Sequence, residues 1–111
     1  MTTVRFLERG GRLYGFEASG HAGYAESGED IVCAAVSALT QSTLLGLGEV
    51  LKAPVEWSAD EKKGALRAFV PESTEGTEIL FRTLEAGLKN IAGQYPDWVG
   101  IDYMQRRGKS C

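Results

Sequence analysis

The run of residues from Ile31 to Leu51 most constrains how this chain can fold, because it contains no lysine or arginine and a single acid, Glu49. Wound as an α-helix, it is apolar around most of its circumference. A helix of that kind is buried on more than one side, so we expect it to be the most buried helix of the chain. Gly46 and Gly48 weaken its far end, and Pro54 forbids its continuation.

Strand-like runs and a second helix account for most of the remaining residues. Apolar residues at spacings of three and four predict an amphipathic helix over Thr74–Tyr95, capped by Ser73 or Thr74. Gly10-Gly11 is a strong turn signal between the first two strands. The runs that read as strands are Val4–Arg9, Arg12–Ser19, Val55–Ser58, Ala65–Val70 and the alternation from Val99 to Tyr103.

This ββαββαβ order predicts an α/β fold of the two-layer α+β sandwich type, with a five-stranded sheet and both helices packed on one face. The 111 residues are expected to form one domain, residues 1–111, which can bury a core without disulfides or metal. The surplus apolar surface of the first helix indicates that a partner subunit covers part of it. A homodimer is the default form of such burial.

Composition bounds the partners and the compartment. The net charge of −3 argues against direct binding of nucleic acid, since such domains usually carry a strong basic surplus. We expect neither a signal-peptide core nor a run of transmembrane length, hence no membrane partner and a cytoplasmic location. Thiols stay reduced there, so no bridge between Cys33 and Cys111 is predicted.

The chemistry is concentrated in Gly20–Thr40, which holds the only histidine, His21, and the only internal cysteine, Cys33. Either Ser27 or Asp30 can be the N-cap of the following helix. Both registers put Cys33 within the first two turns, where unpaired backbone N–H groups favour a thiolate. If the loop folds back, His21 can pair with the thiol as in cysteine hydrolases.

Other readings of the same residues stay open. Cysteine is among the most buried residue types, so composition alone favours an inert core thiol at position 33. Three acids, Glu26, Glu29 and Asp30, disfavour a nearby thiolate. Asp30 can instead orient His21, as the third member of a triad does, or merely cap the helix.

Two further features complete the candidate site. Ser37 lies on the same helix face as Cys33 and can bond to the preceding loop or to its own helix carbonyl. Gly20, Gly23 and Gly28 make that loop pliable. One histidine and one cysteine match no zinc signature, so we expect neither a metal nor another cofactor.

The motif Gly20-His21-Ala22, followed after a short loop by GEDIVCAAVS over residues 28–37, resembles that of the ribosomal-processing cysteine protease family of bacteria, Prp. The GHA element, the G-x-D-I-V-C-A-A-V-S element and the gap between them all agree. The element order and the total length also fit, so the resemblance covers nearly the whole chain.

The resemblance implies a cytoplasmic cysteine endopeptidase that removes a short N-terminal extension from a large-subunit ribosomal protein, the twenty-seventh in the standard list. It places a catalytic dyad on His21 and Cys33 and supporting roles on Asp30 and Ser37, within an active-site loop and helix start at 20–37. It further implies a homodimer, a mobile loop at Ala22–Glu29 and an apolar groove beside the cysteine. The alternative is a non-catalytic ribosome-assembly or protein-binding module with a core thiol.

Overall fold

The computed structural model describes residues 1–20, 27–62 and 64–105, with the backbone alone for 27–30. Within them, five strands and two long helices follow each other in the order ββαββαβ, which confirms the predicted order. The elements are β1 (Thr2–Arg9), β2 (Arg12–Ser19), α1 (Ser27–Leu45), β3 (Glu56–Asp60), β4 (Ala65–Phe69), α2 (Glu75–Gln94) and β5 (Val99–Gln105).

The strands form one mixed sheet in the spatial order β3-β4-β2-β1-β5. All neighbours pair antiparallel except β1 and β5, which are parallel. Gly10 and Gly11 join β1 to β2 with positive φ angles of 61° and 82°, the conformation that a two-residue hairpin turn requires at both positions. The predicted hairpins are therefore confirmed, and β1 lies inside the sheet, next to the edge strand β5.

The core lies between one face of the sheet and the two helices, as predicted for a two-layer sandwich. Phe6 and Phe16 point from the sheet into this layer and are fully buried, as is Phe81 from α2. The rings of Phe16 and Phe81 pack edge to face, with their centroids 6.4 Å apart. The opposite face carries exposed ion pairs, among them Arg5 with Asp102 at 3.5 Å. Alternating side chains separate the two faces at the centre of the sheet, as in β1, where Val4 and Phe6 are buried and Arg5 is not.

The expectation that α1 is buried on more than one side is wrong for the single chain. Val32 and Val36 contribute to the core, but Ile31 is 70% exposed and Leu45 is 55% exposed. An apolar composition records only that a helix prefers to be covered. Within this chain the sheet and α2 cover one side of α1, which leaves a second apolar face open to solvent.

By length and composition, one segment of the described residues is apolar enough to cross a membrane. Ile31–Val50 spans 20 residues with a mean hydropathy of 1.6, and 28% of its apolar window is buried. The expectation that the chain lacks a run of transmembrane length is therefore wrong. Core helices of soluble proteins meet the same criterion, and Leu47 from this segment is fully buried in the core.

The start of α1 differs from both predicted registers. Ser27 is already helical, so neither Ser27 nor Asp30 is the N-cap, and Gly28, predicted within a pliable loop, lies in the first helical turn. Glu29 and Asp30 occupy the same turn. Acids there are stabilised by the unpaired N–H groups of a helix start, which favours winding the helix back through them.

Distinct local structures mark the end of α1 and the start of α2. After α1, a π-helical turn over Gly46–Val50 replaces the α-helical hydrogen-bond pattern. This agrees with the prediction that Gly46 and Gly48 weaken the end of the helix. α2 begins with Thr74 as N-cap in a capping box, in which the Thr74 hydroxyl accepts from the Thr77 N–H at 3.2 Å. This decides between the two predicted caps in favour of Thr74.

A polar cluster joins α2 to the first hairpin and to β5. Arg82 donates to Glu78 at 2.9 Å, to Glu85 at 3.1 Å and to the carbonyl of Gly11 at 3.0 Å. Glu85 is only 8% exposed and accepts a hydrogen bond from the Tyr103 hydroxyl. Burial alone would raise the pKa of Glu85, but hydrogen bonds from Tyr103 and Arg82 outweigh burial and lower it. Burial and the bond to Glu85 raise the pKa of Tyr103 to about 12.

Candidate active site

Cys33 lies two turns into α1, as its seventh residue counted from Ser27. The prediction of a position within the first two turns is confirmed. The unpaired N–H groups of an α-helix belong to its first turn, and Cys33 lies beyond that turn. Cys33 is half-buried, and the reading that makes it a buried core thiol is therefore wrong about its burial.

Cys33 lines a cleft of about 610 Å³. The cleft lies between α1 and the part of the sheet near β3. Residues of α1 spaced three and four apart form one wall, beginning with Cys33 and continuing through Val36 and Thr40 to Leu44. The other wall is largely apolar and comes from the strands, with Ala18, Ala59, Leu66 and Trp57. A cleft of this size and character can hold a few side chains of a peptide.

The Thr2 hydroxyl lies 3.0 Å from the Cys33 sulfur, at hydrogen-bond distance, and either atom can be the donor. Thr2 is 5% exposed and lines the same cleft. Sequence reasoning gave Thr2 no role. The available signal was its place in the alternation of β1, which puts residue 2 on the same face as Val4 and Phe6.

Gly20 also lines the cleft, at the end of β2. Its N–H donates to the carbonyl of Gly64 at 3.1 Å, which ties it to the turn between β3 and β4. Gly64 has a positive φ of 62°, and a Cβ there would lie 2.8 Å from the Gly20 carbonyl oxygen. Glycine is therefore required at position 64 both by its backbone conformation and by this close approach.

The other predicted site residues divide between described and undescribed positions. Ser37 is exposed and lines the cleft one turn after Cys33. Its hydroxyl accepts from the Gln41 side chain at 2.9 Å, a partner that neither predicted alternative included. The backbone of Asp30 lies in the first turn of α1. His21 and Gly23 lie outside the described residues, so the predicted pairing of His21 with Cys33 stays a prediction.

Trp57 is a second cleft residue that sequence reasoning missed. It lies on the edge strand β3 and is 58% exposed. It pairs with Ala68 of β4, a fully buried core residue, and so belongs to the helix-facing side of the sheet. An aromatic residue within a short exposed strand was the only signal available.

The described residues offer no cluster of metal ligands. Across residues 1–20, 27–62 and 64–105, no three His, Cys, Asp or Glu side chains come together in a group that could hold a metal ion. The cleft residues whose side chains are described offer a thiol, hydroxyls, an amide and the carboxylates of Asp60 and Glu61.

A half-buried thiol on the wall of an apolar cleft fits the class of cysteine-dependent hydrolases. The chain belongs to the Cysteine protease Prp family, whose model matches residues 1–100. The resemblance drawn from the sequence motif is thereby confirmed at the level of the family.

The chain is also similar to individual proteins and solved structures. The ribosomal processing cysteine protease Prp of Mycoplasma genitalium is 29% identical over 85 residues, which cover 77% of this chain and 83% of the relative. The crystal structure of SMU.848 from Streptococcus mutans is 32% identical, with a TM-score of 0.84 and 96% of each chain covered.

The ribosomal processing protease Prp of S. aureus, solved with a covalently linked product peptide, has the same fold. Its TM-score is 0.83 at 22% identity, with 94% of this chain and all of that chain covered. The same S. aureus protein was also solved with a substrate peptide. At this identity the likeness concerns the fold, and it confirms the five-stranded α+β sandwich.

Proposed function

We propose that this protein is a cysteine endopeptidase that removes a short N-terminal extension from the twenty-seventh protein of the large ribosomal subunit. The observation that carries the proposal is the half-buried Cys33 on the wall of an apolar cleft. Membership of the Prp family supports peptide-bond hydrolysis. The similarity to the ribosomal processing protease of Mycoplasma genitalium supports a ribosomal protein as the substrate.

The proposed reaction uses a dyad of His21 and Cys33. The thiolate attacks the scissile carbonyl carbon, and the carbon–nitrogen bond of the resulting tetrahedral intermediate breaks as His21 gives its proton to the leaving amine. The product at this stage is a thioester on Cys33. Water deprotonated by His21 then attacks the thioester, which releases the carboxylate and restores the free sulfur. In this scheme Asp30 orients the imidazole.

Ser37 takes a supporting role in the proposal. It stands one turn beyond Cys33 on the same cleft wall and is already hydrogen-bonded to Gln41. That pair presents polar groups on the same cleft wall as the nucleophile, where they can bind a backbone group of the substrate. The apolar remainder of the cleft favours aromatic or aliphatic side chains on the substrate.

We further propose that the protein acts in the cytoplasm as a homodimer, without direct contacts to nucleic acid or membrane. The exposed apolar face of α1 supports self-association, because surfaces of this kind mark protein contacts. Its central part is formed by small side chains, Ala34 and Ala38, which allow close approach of a second helix.

The experiment is cleavage of a peptide that spans the processing site of the host's ribosomal protein. The parent protein is expected to cut it, whereas Cys33→Ala should abolish cleavage while leaving the fold intact. Cys33→Ser should also fail, because an alkoxide forms far less readily than a thiolate. Cys111→Ser is the matched control and should cut like the parent. Retained cleavage by Cys33→Ala would contradict the proposal.

A further inference from the structure

The Thr2 hydroxyl oxygen lies 3.0 Å from the Cys33 sulfur, at hydrogen-bond distance. The two residues are 31 positions apart in sequence. Thr2 is only 5% exposed, so its hydroxyl is largely shielded from competing water. Both residues line the cleft in which the proposed reaction occurs.

The backbone of Thr2 is held at the start of β5 and by the residue before it. The Thr2 N–H donates to the carbonyl of Trp98 at 2.9 Å, and Thr2 stands opposite Val99 in the parallel ladder. Because side chains alternate along a strand, this register directs Thr2 toward the helices and Thr3 toward the opposite face. The hydroxyl is therefore presented to α1 by a strand inside the sheet.

The Thr2 side chain packs directly against the backbone of Gly20. A Cβ built on Gly20 would lie 2.9 Å from the Thr2 Oγ1 and 3.4 Å from its Cγ2. The N–H of Gly20 is in turn bonded to the carbonyl of Gly64. The absence of a side chain at position 20 thus leaves the space that the Thr2 hydroxyl occupies beside Cys33.

We infer that Thr2 is a positioning residue for the Cys33 nucleophile. Its hydroxyl donates a hydrogen bond to the sulfur when Cys33 is a thiolate. This inference rests on the proposed function. The bond stabilises the charged sulfur and holds it toward the cleft, and charge-assisted hydrogen bonds are the stronger ones. Thr2 keeps its proton throughout, and no covalent bond to Thr2 forms or breaks.

Charged side chains also line the cleft. Among the described side chains that line it, Asp60 and Glu61 in the region of the β3–β4 turn carry carboxylates. A hydroxyl-to-methyl exchange at position 2 leaves both carboxylates in place. A change in the pH profile of Cys33 caused by that exchange therefore reports on the hydroxyl.

The test is the rate of alkylation of Cys33 by iodoacetamide between pH 5 and 10, in a Cys111→Ser background so that one thiol reacts. Thr2→Val, nearly the same size as the parent side chain, is expected to slow alkylation at pH 7 about tenfold. It should also shift the half-maximal rate about one pH unit upward. Thr2→Ser keeps the hydroxyl and should remain within about threefold of the parent.

Two further variants control for shape and folding. Thr3→Val makes the same exchange on the opposite face of β1 and should leave the profile unchanged. Thr2→Ala removes the hydroxyl with a smaller side chain and should behave like Thr2→Val, which separates a chemical effect from a packing effect. If Thr2→Val and Thr2→Ala are alkylated with the parent's rate and pH profile, the inference is overturned. It is equally overturned if Thr2→Ser is slowed as much as they are.

Peptide cleavage distinguishes this inference from the proposed function. Cleavage that is lost in Cys33→Ala but unchanged in kcat and KM in Thr2→Val would keep the endopeptidase and overturn the role of Thr2. Cleavage that survives Cys33→Ala would overturn the endopeptidase mechanism and, with it, the positioning role. We expect Thr2→Val to lower kcat with little change in KM, because Thr2 acts through the sulfur.

Discussion

Gly20 and Thr2 pack so closely that a Cβ at position 20 would lie 2.9 Å from the Thr2 hydroxyl oxygen. Gly20 does not have the positive φ angle that Gly10, Gly11 and Gly64 adopt. Its backbone is therefore open to other residues, and space beside Thr2 is what glycine provides here. Glycine at position 20 therefore meets a packing requirement next to Cys33, and the pliability predicted for this loop stays a prediction.

Gly20→Ala is expected to slow alkylation of Cys33 about tenfold at pH 7, because the added methyl group must displace the Thr2 hydroxyl from the sulfur. The measurement is the iodoacetamide rate in the Cys111→Ser background. Gly93→Ala is the control, since a Cβ there meets no atom within 4 Å. An unchanged rate in Gly20→Ala would show that Thr2 does not depend on the space at position 20.

A charge on the exposed face of α1 should disrupt the proposed dimer. Ala38 is exposed in the single chain, and burying a glutamate at an apolar contact costs several kcal/mol. Ala38→Glu is expected to raise the dimer dissociation constant at least a hundredfold, measured by sedimentation velocity. Ala86→Glu, on an exposed position of α2, should leave it unchanged. A dimer that tolerates Ala38→Glu as well as Ala86→Glu would place the interface elsewhere.

Trp57 is expected to bind the substrate rather than to stabilise the fold. Because it lines the cleft and is 58% exposed, Trp57→Ala should raise KM for the peptide about fivefold, roughly 1 kcal/mol, with kcat nearly unchanged. Its thermal midpoint should stay close to that of the parent, and Trp57→Phe should keep most of the affinity. A loss confined to kcat would argue against a binding role.

Arg82 should contribute more to stability than its exposed neighbour Lys89. Arg82→Ala removes three hydrogen bonds and leaves the buried Glu85 with fewer partners, so a loss of about 1–3 kcal/mol of unfolding free energy is expected. Lys89 contacts Glu85 at 3.8 Å and is 62% exposed, so Lys89→Ala should cost no more than about 1 kcal/mol. Urea unfolding of both variants checks the ranking, and equal losses would contradict it.

The Tyr103–Glu85 contact predicts how stability falls at alkaline pH. The folded pKa of Tyr103, about 12, lies above its ordinary value of 10.0. Its contribution is therefore complete below pH 10 and disappears as the pH rises through 12. Urea midpoints measured from pH 9 to 12 should fall more steeply for the parent than for Tyr103→Phe.

Tyr95→Phe provides the matched control, since Tyr95 and Tyr103 are similarly exposed, at 40% and 41%. It should follow the parent's alkaline profile. At acidic pH the contribution of Glu85 to stability changes in the opposite direction. Because the pKa of Glu85 is lowered in the folded protein, this contribution is complete above pH 4.5 and is lost as the pH falls through the folded pKa. An alkaline profile of Tyr103→Phe that matches the parent would contradict the assignment.

Local patterns in the sequence determined the secondary structure, the order of the elements and the family. Alternation of residues fixed the strands, spacings of three and four fixed α2, and two glycines fixed the first turn, because each of these depends on neighbours in the chain. The motif around Cys33 carried enough specificity to identify the Prp family, which the match over residues 1–100 confirms.

Only the tertiary structure decided what surrounds Cys33 and which side of α1 is covered. Thr2 reaches the sulfur from 31 residues away, and Arg82 reaches Gly11 from 71 residues away. Such contacts follow from strand register and helix packing, which no local pattern encodes. Hydropathy likewise showed that α1 prefers to be covered, but the number of faces that the chain itself can cover depends on where the sheet and α2 lie.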